Sequence, residues 1–460
     1  MLLTDLEIID AASDGNAVAK KDDLVFFIPF GAPGDVVDAE TVKKKKSFRI
    51  AKIVNIKKPS PHRIQPFCKY FGLCGGCKWQ HLDYQSQLFY KQKQVVDALT
   101  RIGKVNVNNI NDIISSDKTT YYRNKLEYTF SNFKWMSDGE FKSKEERNLN
   151  GIGFHLPNMY DRIIDIEECF FQPEPSNQIR NSFRDYAISH NLTFYNVKKH
   201  EGLLRNLIIR CSNTGGLMVV LVVNENDTDS FFPLLDFIRN SFPQITSLMY
   251  VVNRKFNDDI GDQNVIPYYG EDHLIEEMEN IRFYVGPKSF YQTNHDQAYK
   301  LYKVAREFAD LQGDEIVYDL YTGAGTIANF VASKAKKVVG IEYVEQAIEN
   351  AIYNSSINNI TNTSFFAGDM AKVLTDDFIN ANGRPDVIIT DPPRAGMHDK
   401  VIAQILKCSP KKIVYVSCNP ATQARDISLL SEKYSIGRIQ PVDMFPHTQH
   451  VENVVELILQ

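Results

Sequence analysis

The stretch Asp319-Leu-Tyr-Thr-Gly-Ala-Gly325 decides the fold of the C-terminal part of the chain. It closes the apolar run Glu315–Leu320, which predicts a strand, and precedes Ile327–Ala335, which predicts a helix. Gly323 and Gly325 permit a tight turn and a close approach of a ligand, and the following helix N-terminus supplies N–H donors. Because the third glycine of the dinucleotide fingerprint is absent, the turn indicates a ligand site without specifying the ligand.

Two acidic residues follow the next two predicted strands. Lys337–Glu342 ends in Glu342, twenty-three positions after Asp319, and a carboxylate there can accept hydrogen bonds from both hydroxyls of a ribose. Asp369 follows the strand Thr363–Ala367, where an adenine-bearing ligand would extend. A glycine turn and helix caps in a plain α/β domain are the alternative for each piece alone. The order of all three resembles the class I S-adenosylmethionine (SAM) methyltransferase fold.

Strands and helices alternate along the rest of the chain after about Leu274. This alternation predicts an α/β domain with a largely parallel, doubly wound sheet. Further strands are predicted at Val387–Asp391 and Lys412–Ser417, and further helices at Gln346–Asn358 and Lys400–Lys407.

Two reactive side chains stand at the ends of these last strands. Asp391 is followed by two prolines, which end the strand and hold the carboxylate at the carboxyl edge of the sheet. Arg394 stands where the related motif of amino methyltransferases has an aromatic residue, which argues against that class. Cys418 ends the next strand directly before Asn-Pro. A cysteine on a strand is more often an inert core residue, but its place at the strand end, parallel to Asp391, favours a nucleophile.

A cysteine has a specific use in the methylation of uracil. C5 of uracil is a poor nucleophile, and thiolate addition at C6 creates an enolate whose C5 attacks a methyl sulfonium. The adduct must then lose the C5 proton to a base. Glu452 is the candidate because it interrupts an apolar terminal strand, where the pKa of a carboxyl group rises. The alternative is an exposed strand residue without a role in the chemistry.

Five segments together resemble the bacterial RNA 5-methyluridine methyltransferase family, and the resemblance spans nearly the whole chain. It implies that Cys418 is the nucleophile and Glu452 the proton acceptor. Thr322 stands where the family usually has a cysteine, and both residues are small. The segments are Phe290–Asn294, Asp319–Gly325, Asp391–Arg394, Ser417–Pro420 and His450–Glu452. The implied SAM-contacting positions are Gln292, Tyr321, Glu342, Asp369 and Asp391, beside the turn glycines Gly323 and Gly325.

The first sixty residues contain short apolar runs separated by turn signals. This pattern predicts a small β-barrel, a common scaffold for single-stranded RNA. Asp14-Gly15, Val25–Pro29 and Ala32–Asp35 resemble a TRAM domain. The prolines of Lys57–Arg63 predict a linker after the barrel.

Positive charge is concentrated after the barrel begins. The span between Val42 and Lys104 contains fifteen Lys and Arg and only two acidic residues, Asp83 and Asp97. Its net charge is therefore +13, and because the whole chain has a net charge of −5, the rest of the chain carries about −18. A basic region on an acidic body fits capture of a phosphate backbone. For the run Lys43–Lys46 alone, a solvated lysine-rich surface is an equal alternative.

We predict three domains, a barrel at 1–58, a central α+β domain at 59–272 and a SAM-dependent methyltransferase domain at 273–460. A helix is predicted from about Asp83 to Gly103, with apolar positions that suit packing on the catalytic domain. The central domain should contain antiparallel strands. Its predicted strands are Lys125–Phe130, Leu207–Cys211, Leu217–Val223 and Ser247–Asn253, and its predicted helices are Pro175–Asn191 and Ser230–Phe242.

Four of the seven cysteines have the character of metal ligands, namely Cys68, Cys74, Cys77 and Cys169. Four thiolates suit either Zn²⁺ or an iron–sulfur cluster, and the spacing does not decide between them. The resemblance implies a [4Fe–4S] cluster, which ribosomal-RNA members with this pattern carry and the tRNA branch lacks. Unrelated buried thiols are the alternative, strongest for Cys169. Methyl transfer needs no electron, so a cluster would serve folding or RNA binding.

These features predict a uracil-C5 methyltransferase acting on 23S ribosomal RNA. An enzyme of the same chemistry acting on tRNA is the nearest alternative, against which the basic barrel and the cysteines argue. An RNA-binding iron–sulfur or zinc protein with an inactive methyltransferase domain is a third. The chain shows neither a signal peptide nor a long apolar run, so we expect a cytoplasmic protein.

Overall fold

The computed structural model describes residues 1–136 and 148–460. They form two compact units. The first contains Met1–Phe67, Cys77–Thr119 and Asp296–Gln460, and the second contains Cys68–Gly76 and Thr120–His295. These units divide the chain differently from the three predicted segments, whose boundaries stay predictions. In the described ranges no helix is both long and apolar enough to cross a membrane.

The first unit begins with a closed five-stranded barrel, which confirms the predicted one. Its strands pair in the order β1-β2-β3-β5-β4, and small and branched side chains such as Ala19, Ile28 and Val37 fill its interior. The strands are β1 (Leu2–Ala11), β2 (Ala17–Lys21), β3 (Leu24–Ile28), β4 (Val36–Lys44) and β5 (Phe48–Lys58).

The lysine run lies in the hairpin between β4 and β5. The backbone N–H of Lys45 donates to the carbonyl oxygen of Phe48 over 3.0 Å and closes this hairpin. All four side chains of Lys43–Lys46 are exposed. Their charges are therefore accessible, which is compatible both with binding of a phosphate backbone and with a solvated lysine-rich surface.

Helix α1 (Tyr84–Arg101) belongs to the first unit. The carboxylate of Asp83 caps it by accepting a 2.7 Å hydrogen bond from the backbone N–H of Ser86,. Val95 and Leu99 on its apolar face are fully buried in the core of the C-terminal sheet. The predicted helix is thus confirmed, and it covers one face of that sheet.

The second unit is built on a mixed seven-stranded sheet with the order β12-β11-β10-β9-β6-β7-β8, beside a two-stranded sheet of β13 and β14. Most pairs are antiparallel as predicted, but β10 and β11 are parallel. The strands are β6 (Lys125–Ser131), β7 (Gly151–Leu156), β8 (Met159–Asp165), β9 (Leu204–Cys211), β10 (Leu217–Val223), β11 (Ser247–Val252), β12 (Val265–Gly270), β13 (Leu274–Met278) and β14 (Ile281–Val285), with the helices α2 (Ser176–Ser189) and α3 (Thr228–Ser241).

The first unit ends in the predicted doubly wound sheet, with the order β17-β16-β15-β18-β19-β21-β20. Five strands are parallel, and the last two run antiparallel to them or to each other. The strands are β15 (Ile316–Leu320), β16 (Lys337–Glu342), β17 (Thr363–Ala367), β18 (Val387–Thr390), β19 (Lys412–Ser417), β20 (Tyr434–Val442) and β21 (Glu452–Leu459). The helices are α4 (His295–Ala309), α5 (Thr326–Ala332), α6 (Glu345–Ile357), α7 (Met370–Val373), α8 (Asp376–Asn382), α9 (Asp399–Cys408) and α10 (Pro420–Leu430).

Candidate active site

The two residues predicted to be catalytic, Cys418 and Glu452, meet the predicted cofactor contact Asp391 at the carboxyl edge of the C-terminal sheet. Asp391 directly follows β18, and Cys418 directly follows the parallel neighbour β19. Strand β21 runs antiparallel to β19 with Asn453 opposite Ser417, so Glu452 takes the position opposite Cys418. Parallel sheets bind their ligands at this edge, and the register of three strands brings the thiol and both carboxyl groups there.

Buried carboxyl groups dominate the electrostatics of this edge. Burial raises the pKa of Glu452 well above its usual value, Asp391 raises it further, and Arg394 lowers it,. The pKa of Asp391 rises to about 7 through burial and the charge of Asp319. Desolvation and the neighbouring Glu452 and Asp391 raise the pKa of Cys418 to about 11. A thiolate at this position therefore depends on a nearby cation.

Arg394 is that cation. The positive charge of its side chain lowers the pKa of the Cys418 thiol. The carbonyl oxygen of Arg394 accepts from Nδ2 of Asn419 at 2.9 Å and from Oγ1 of Thr422 at 3.1 Å. Its Nη2 donates to Nδ1 of His450 at 2.7 Å. Neither Arg394 nor His450 was predicted to take part in the chemistry, although both stand inside the motifs that supplied Asp391 and Glu452.

The glycine turn after β15 has the backbone geometry that its sequence predicts. Gly323 and Gly325 have φ angles of 54° and 74°, a region that favours glycine. A Cβ atom on Gly325 would lie 2.9 Å from Cβ of Ala351, whereas one on Gly323 would meet no described atom within 4 Å. Asn354 supports the turn from behind, since its Nδ2 donates to the carbonyl oxygen of Ala324 at 3.0 Å. The turn is braced on one side and open at Gly323.

Glu342 faces the same turn from the end of β16. Its Oε2 accepts a hydrogen bond from the backbone N–H of Gly323 at 3.2 Å. Its Oε1 accepts from the N–H groups of Tyr343 and Val344 at 2.8 Å and 3.1 Å. Backbone donors thus fix the carboxylate beside the turn, where the sequence predicts a ribose contact.

Asp319 is a functional candidate to which the sequence pattern assigned no role of its own. Its Oδ2 accepts from Oγ1 of Thr322 at 2.5 Å and from the N–H of Ala328 at 3.0 Å. Its Oδ1 is buried and has no hydrogen-bond partner among the described residues. Burial raises its pKa to about 7 and nearby Glu342 adds to the rise. Because Asp319 raises the pKa of Asp391 in turn, the two form an undercompensated acidic pair that suits a cationic ligand such as SAM.

Three other predicted cofactor positions differ in their surroundings. Tyr321 is half-buried, and burial together with nearby carboxylates, including Asp369, raises its pKa to about 12. Asp369 caps α7 by accepting from the N–H of Ala371 at 3.0 Å. Gln292 belongs to the second unit, where its carbonyl oxygen accepts from Nδ2 of Asn124 at 3.0 Å.

The predicted metal ligands are distributed over both units. Cys68, Cys74 and Cys169 belong to the second unit, and Cys77 to the first. Burial raises the pKa of Cys74 to about 11, and the other two thiols of its unit add to the rise, so these three lie near one another. Nevertheless, no group of three or more His, Cys, Asp or Glu in residues 1–136 and 148–460 has the arrangement of a metal site. The predicted cluster is therefore not supported by this geometry.

Comparison with known proteins adds independent evidence. The sequence model of a family described as tRNA (uracil-5-)-methyltransferase matches residues 268–460. An uncharacterised RNA methyltransferase of Bacteroides thetaiotaomicron is 56% identical over 98% of this chain and 100% of its own length. One from Staphylococcus aureus is 36% identical over 97% of this chain and 96% of its own.

A solved structure resembles the whole chain. It is the tRNA (uracil-54, C5)-methyltransferase of Pyrococcus abyssi in complex with S-adenosyl-L-homocysteine, with a TM-score of 0.76 and 29% identity. The match covers 100% of both chains and thus includes the N-terminal barrel. A tRNA enzyme therefore shares the full architecture, and the barrel by itself does not separate ribosomal-RNA enzymes from tRNA enzymes, contrary to the sequence-based argument.

Proposed function

We propose that this chain, which belongs to the family of RNA (uracil-5-)-methyltransferases, methylates C5 of a uracil in 23S ribosomal RNA through a covalent adduct with Cys418. The observation that carries the proposal is the meeting of Cys418, Asp391 and Glu452 at one sheet edge, with Arg394 beside the thiol.

Each side chain has one task in this scheme. Arg394 stabilises the thiolate of Cys418, which adds to C6 of the uracil and leaves an enolate with nucleophilic C5. SAM supplies the electrophilic methyl group. The carboxylate of Glu452 then removes the C5 proton, and the electron pair of that C–H bond restores the C5–C6 double bond and expels the thiolate. The raised pKa of Glu452 makes it a stronger base than an exposed glutamate once it is ionised,.

The residues at the edge also explain how a cationic cofactor prepares the reaction. Asp319 and Asp391 both have pKa values raised to about 7. A bound positive charge favours the ionised form of neighbouring carboxyl groups. Cofactor binding at the turn formed by Gly323 and Gly325 would therefore favour ionised carboxylates before RNA reacts. Glu342, fixed by backbone donors, is positioned to hold ribose hydroxyls.

Tritium release from C5 tests the chemistry. RNA labelled with tritium at uracil C5 should release tritium to water with wild-type protein and SAM, and Cys418→Ala should not release it. Cys211→Ala, the same change at a half-buried cysteine of the second unit, is the matched control and should behave like wild type. Equal release by Cys418→Ala and wild type would refute the nucleophile and favour a different chemistry.

The identity of the RNA is the finer part of the proposal. The four-cysteine pattern supports 23S ribosomal RNA, whereas the full-length likeness to a tRNA enzyme of Pyrococcus abyssi favours tRNA as a second candidate. Unmodified transcripts of both RNAs should be offered in equal amounts with labelled SAM. Ribosomal-RNA fragments should be methylated at a much higher kcat/KM, and a preference for tRNA would select the second candidate.

A [4Fe–4S] cluster on Cys68, Cys74, Cys77 and Cys169 is part of the same proposal, with Zn²⁺ as the alternative. Its support is the cysteine pattern and the mutual electrostatic effect of three thiols in the second unit. Anaerobically purified protein should be brown and contain about four iron atoms per chain, as the cluster formula requires. Stoichiometric zinc would select the alternative, and absence of both metals from active protein would reject a metal site.

A further inference from the structure

His450 makes the closest described side-chain contact to the guanidinium group of Arg394. The backbone of Arg394 is held by Asn419 and Thr422, both at the N-terminal end of α10. Those bonds fix where the arginine side chain begins, but not where its charge points. Nη2 lies 2.7 Å from Nδ1 and 3.4 Å from Nε2 of His450, and these contacts fix the charged end. A guanidinium group has only donors, so the nearer ring nitrogen, Nδ1, accepts from it when that nitrogen is unprotonated,.

The segment that carries His450 is itself firmly anchored in the first unit. It connects β20 to β21 and begins at Asp443, whose Oδ1 forms a fully buried 2.5 Å ion pair with Nζ of Lys91 on α1. The same Nζ donates to the carbonyl oxygen of Phe445 at 2.9 Å. Further along, the N–H of His447 donates to Oε1 of Gln87 at 2.8 Å. The imidazole therefore extends from a segment that α1 holds in place, two residues before Glu452.

We propose that His450 is a positioning residue of the proposed methyl transfer: its neutral imidazole accepts the hydrogen bond of Arg394 and so holds the guanidinium group against the sulfur of Cys418. This inference rests on the proposed function, because it assigns His450 to the activation of the proposed nucleophile. In this scheme His450 does not contact the substrate, and its Nδ1 accepts a hydrogen bond from Arg394 of the same chain.

The charges around the sulfur explain why such a device is needed. Asp391 at the end of β18 and Glu452 at the start of β21 both disfavour the thiolate, whereas Arg394 favours it. Protonation of His450 would remove the acceptor and place a second positive charge beside Arg394. The guanidinium group would then lose its fixed orientation, and Asp391 and Glu452 would raise the pKa of Cys418 without its compensating effect. Activation of the thiol therefore requires neutral His450.

Alkylation of Cys418 tests this inference without RNA. Wild-type protein, His450→Ala and His450→Asn are treated with iodoacetamide between pH 6 and pH 10, and the labelled Cys418 peptide is quantified by mass spectrometry. Asparagine places Oδ1 close to the position of the imidazole Nδ1 and accepts from arginine, but does not titrate. His62→Asn, at an exposed histidine of the same unit, is the matched control. Circular dichroism and SAM binding report whether each variant keeps its fold.

His450→Ala should slow alkylation of Cys418 at pH 8 about threefold to tenfold, since one pKa unit of the thiol changes the thiolate fraction tenfold. His450→Asn should restore most of the rate, and His62→Asn should match wild type. Wild-type rates in folded His450→Ala, or no rescue by asparagine in a folded variant, would overturn the positioning role. If His450→Ala does not fold, His450→Leu takes its place, because leucine fills a similar volume and offers no acceptor to Arg394. It should slow alkylation at pH 8 as alanine does, and a wild-type rate in a folded leucine variant would overturn the role.

The two proposals fail differently in these experiments. If tritium release depends on Cys418 but the alkylation rate of Cys418 is the same with and without His450, the proposed function stands and the positioning role is wrong. If the alkylation rate depends on His450 but no RNA is methylated, His450 does control the reactivity of the thiol and the proposed function is wrong.

Discussion

The carboxyl edge of the C-terminal sheet consists of two halves that achieve precision in different ways. The cofactor half, formed by the ends of β15 and β16, relies on backbone conformation, since glycine φ angles and peptide N–H groups fix the turn and Glu342. The chemical half, at the ends of β18 and β19 and the start of β21, relies on side chains whose pKa values are raised by burial and by one another.

This difference separates binding from chemistry. Changes in the cofactor half should act on SAM affinity or on stability, and changes in the chemical half should act on the rate at saturating SAM. A variant of one half that produced the defect expected of the other would show that binding and chemistry are not separated in this way.

The largest effect is expected in the chemical half. Cys418→Ala should lower the methyl-transfer rate at saturating SAM by at least about 10⁴-fold, because loss of a nucleophile removes the covalent route. Its dissociation constant for SAM should stay within about twofold of the wild-type value, since the turn at Gly323 is untouched. Filter-binding of labelled RNA and calorimetry of SAM binding measure the two quantities. A large loss of SAM affinity would show that the halves are not separable.

Glu452→Gln should stop the reaction one step later. Addition and methyl transfer precede proton loss, so a methylated covalent protein–RNA complex should accumulate while turnover falls about 10²–10⁴-fold. Denaturing electrophoresis with methyl-labelled SAM detects the complex as a slowly migrating labelled band. Turnover at the wild-type rate, or an inactive variant without the band, would count against Glu452 as the base.

Asp319 links the two halves because its charge raises the pKa of Asp391. Its own raised pKa should make the stability of the protein depend on pH. A carboxyl group whose folded pKa is raised to about 7 binds more protons in the folded than in the unfolded chain between about pH 4 and pH 7. Stability therefore falls as the pH rises through that window. An asparagine side chain does not titrate, so the free energy of unfolding of Asp319→Asn relative to wild type should rise by about 2.7 kcal/mol between pH 5 and pH 8, since about two pKa units of this window lie below the folded pKa,. Denaturant unfolding without SAM measures this, and a pH-independent difference would contradict the raised pKa.

The smallest effect is expected for Gly325→Ala in the cofactor half. Residue 325 has a φ angle of 74°, which disfavours alanine, and the new methyl group would lie 2.9 Å from Cβ of Ala351. The resulting shift of the turn should weaken SAM binding about tenfold, or roughly 1.4 kcal/mol. Gly313→Ala is the matched control, because its φ is also positive while a Cβ there meets no described atom within 4 Å. It should cost stability but not SAM affinity. Equal affinity losses would point to general strain instead of a local role of the turn.

The sequence predicted much of this sheet because its strands are short apolar runs whose ends carry the polar residues. The bounds of β16, β17 and β19 agree with the prediction residue by residue. By contrast, β20 was missed because polar and glycine residues such as Arg438 and Gly437 interrupt its apolar pattern, and β7 contains two glycines. Their partners in the sheet, which the chain alone does not reveal, stabilise them.

The site shows the same limit. The placement of Asp391 and Cys418 at the sheet edge was predictable because each stands at an apolar strand end, whereas the catalytic roles of Cys418 and Glu452 stay predictions. Arg394 and His450 lie in loops that are far apart in sequence, and their contact depends on how α10 and α1 hold those loops. The buried Oδ1 of Asp319 is likewise a property of packing, which no local pattern encodes.

RNA containing 5-fluorouridine gives a direct test of the covalent bond from Cys418 to uracil. Fluorine at C5 is not removable as a proton, so the reaction should stop after methyl transfer with the base still attached to sulfur. Nuclease and protease digestion followed by mass spectrometry should find a methylated fluorouridine nucleotide on the peptide that contains Cys418. Attachment to a different residue, or active protein that forms no adduct with this RNA, would contradict the account.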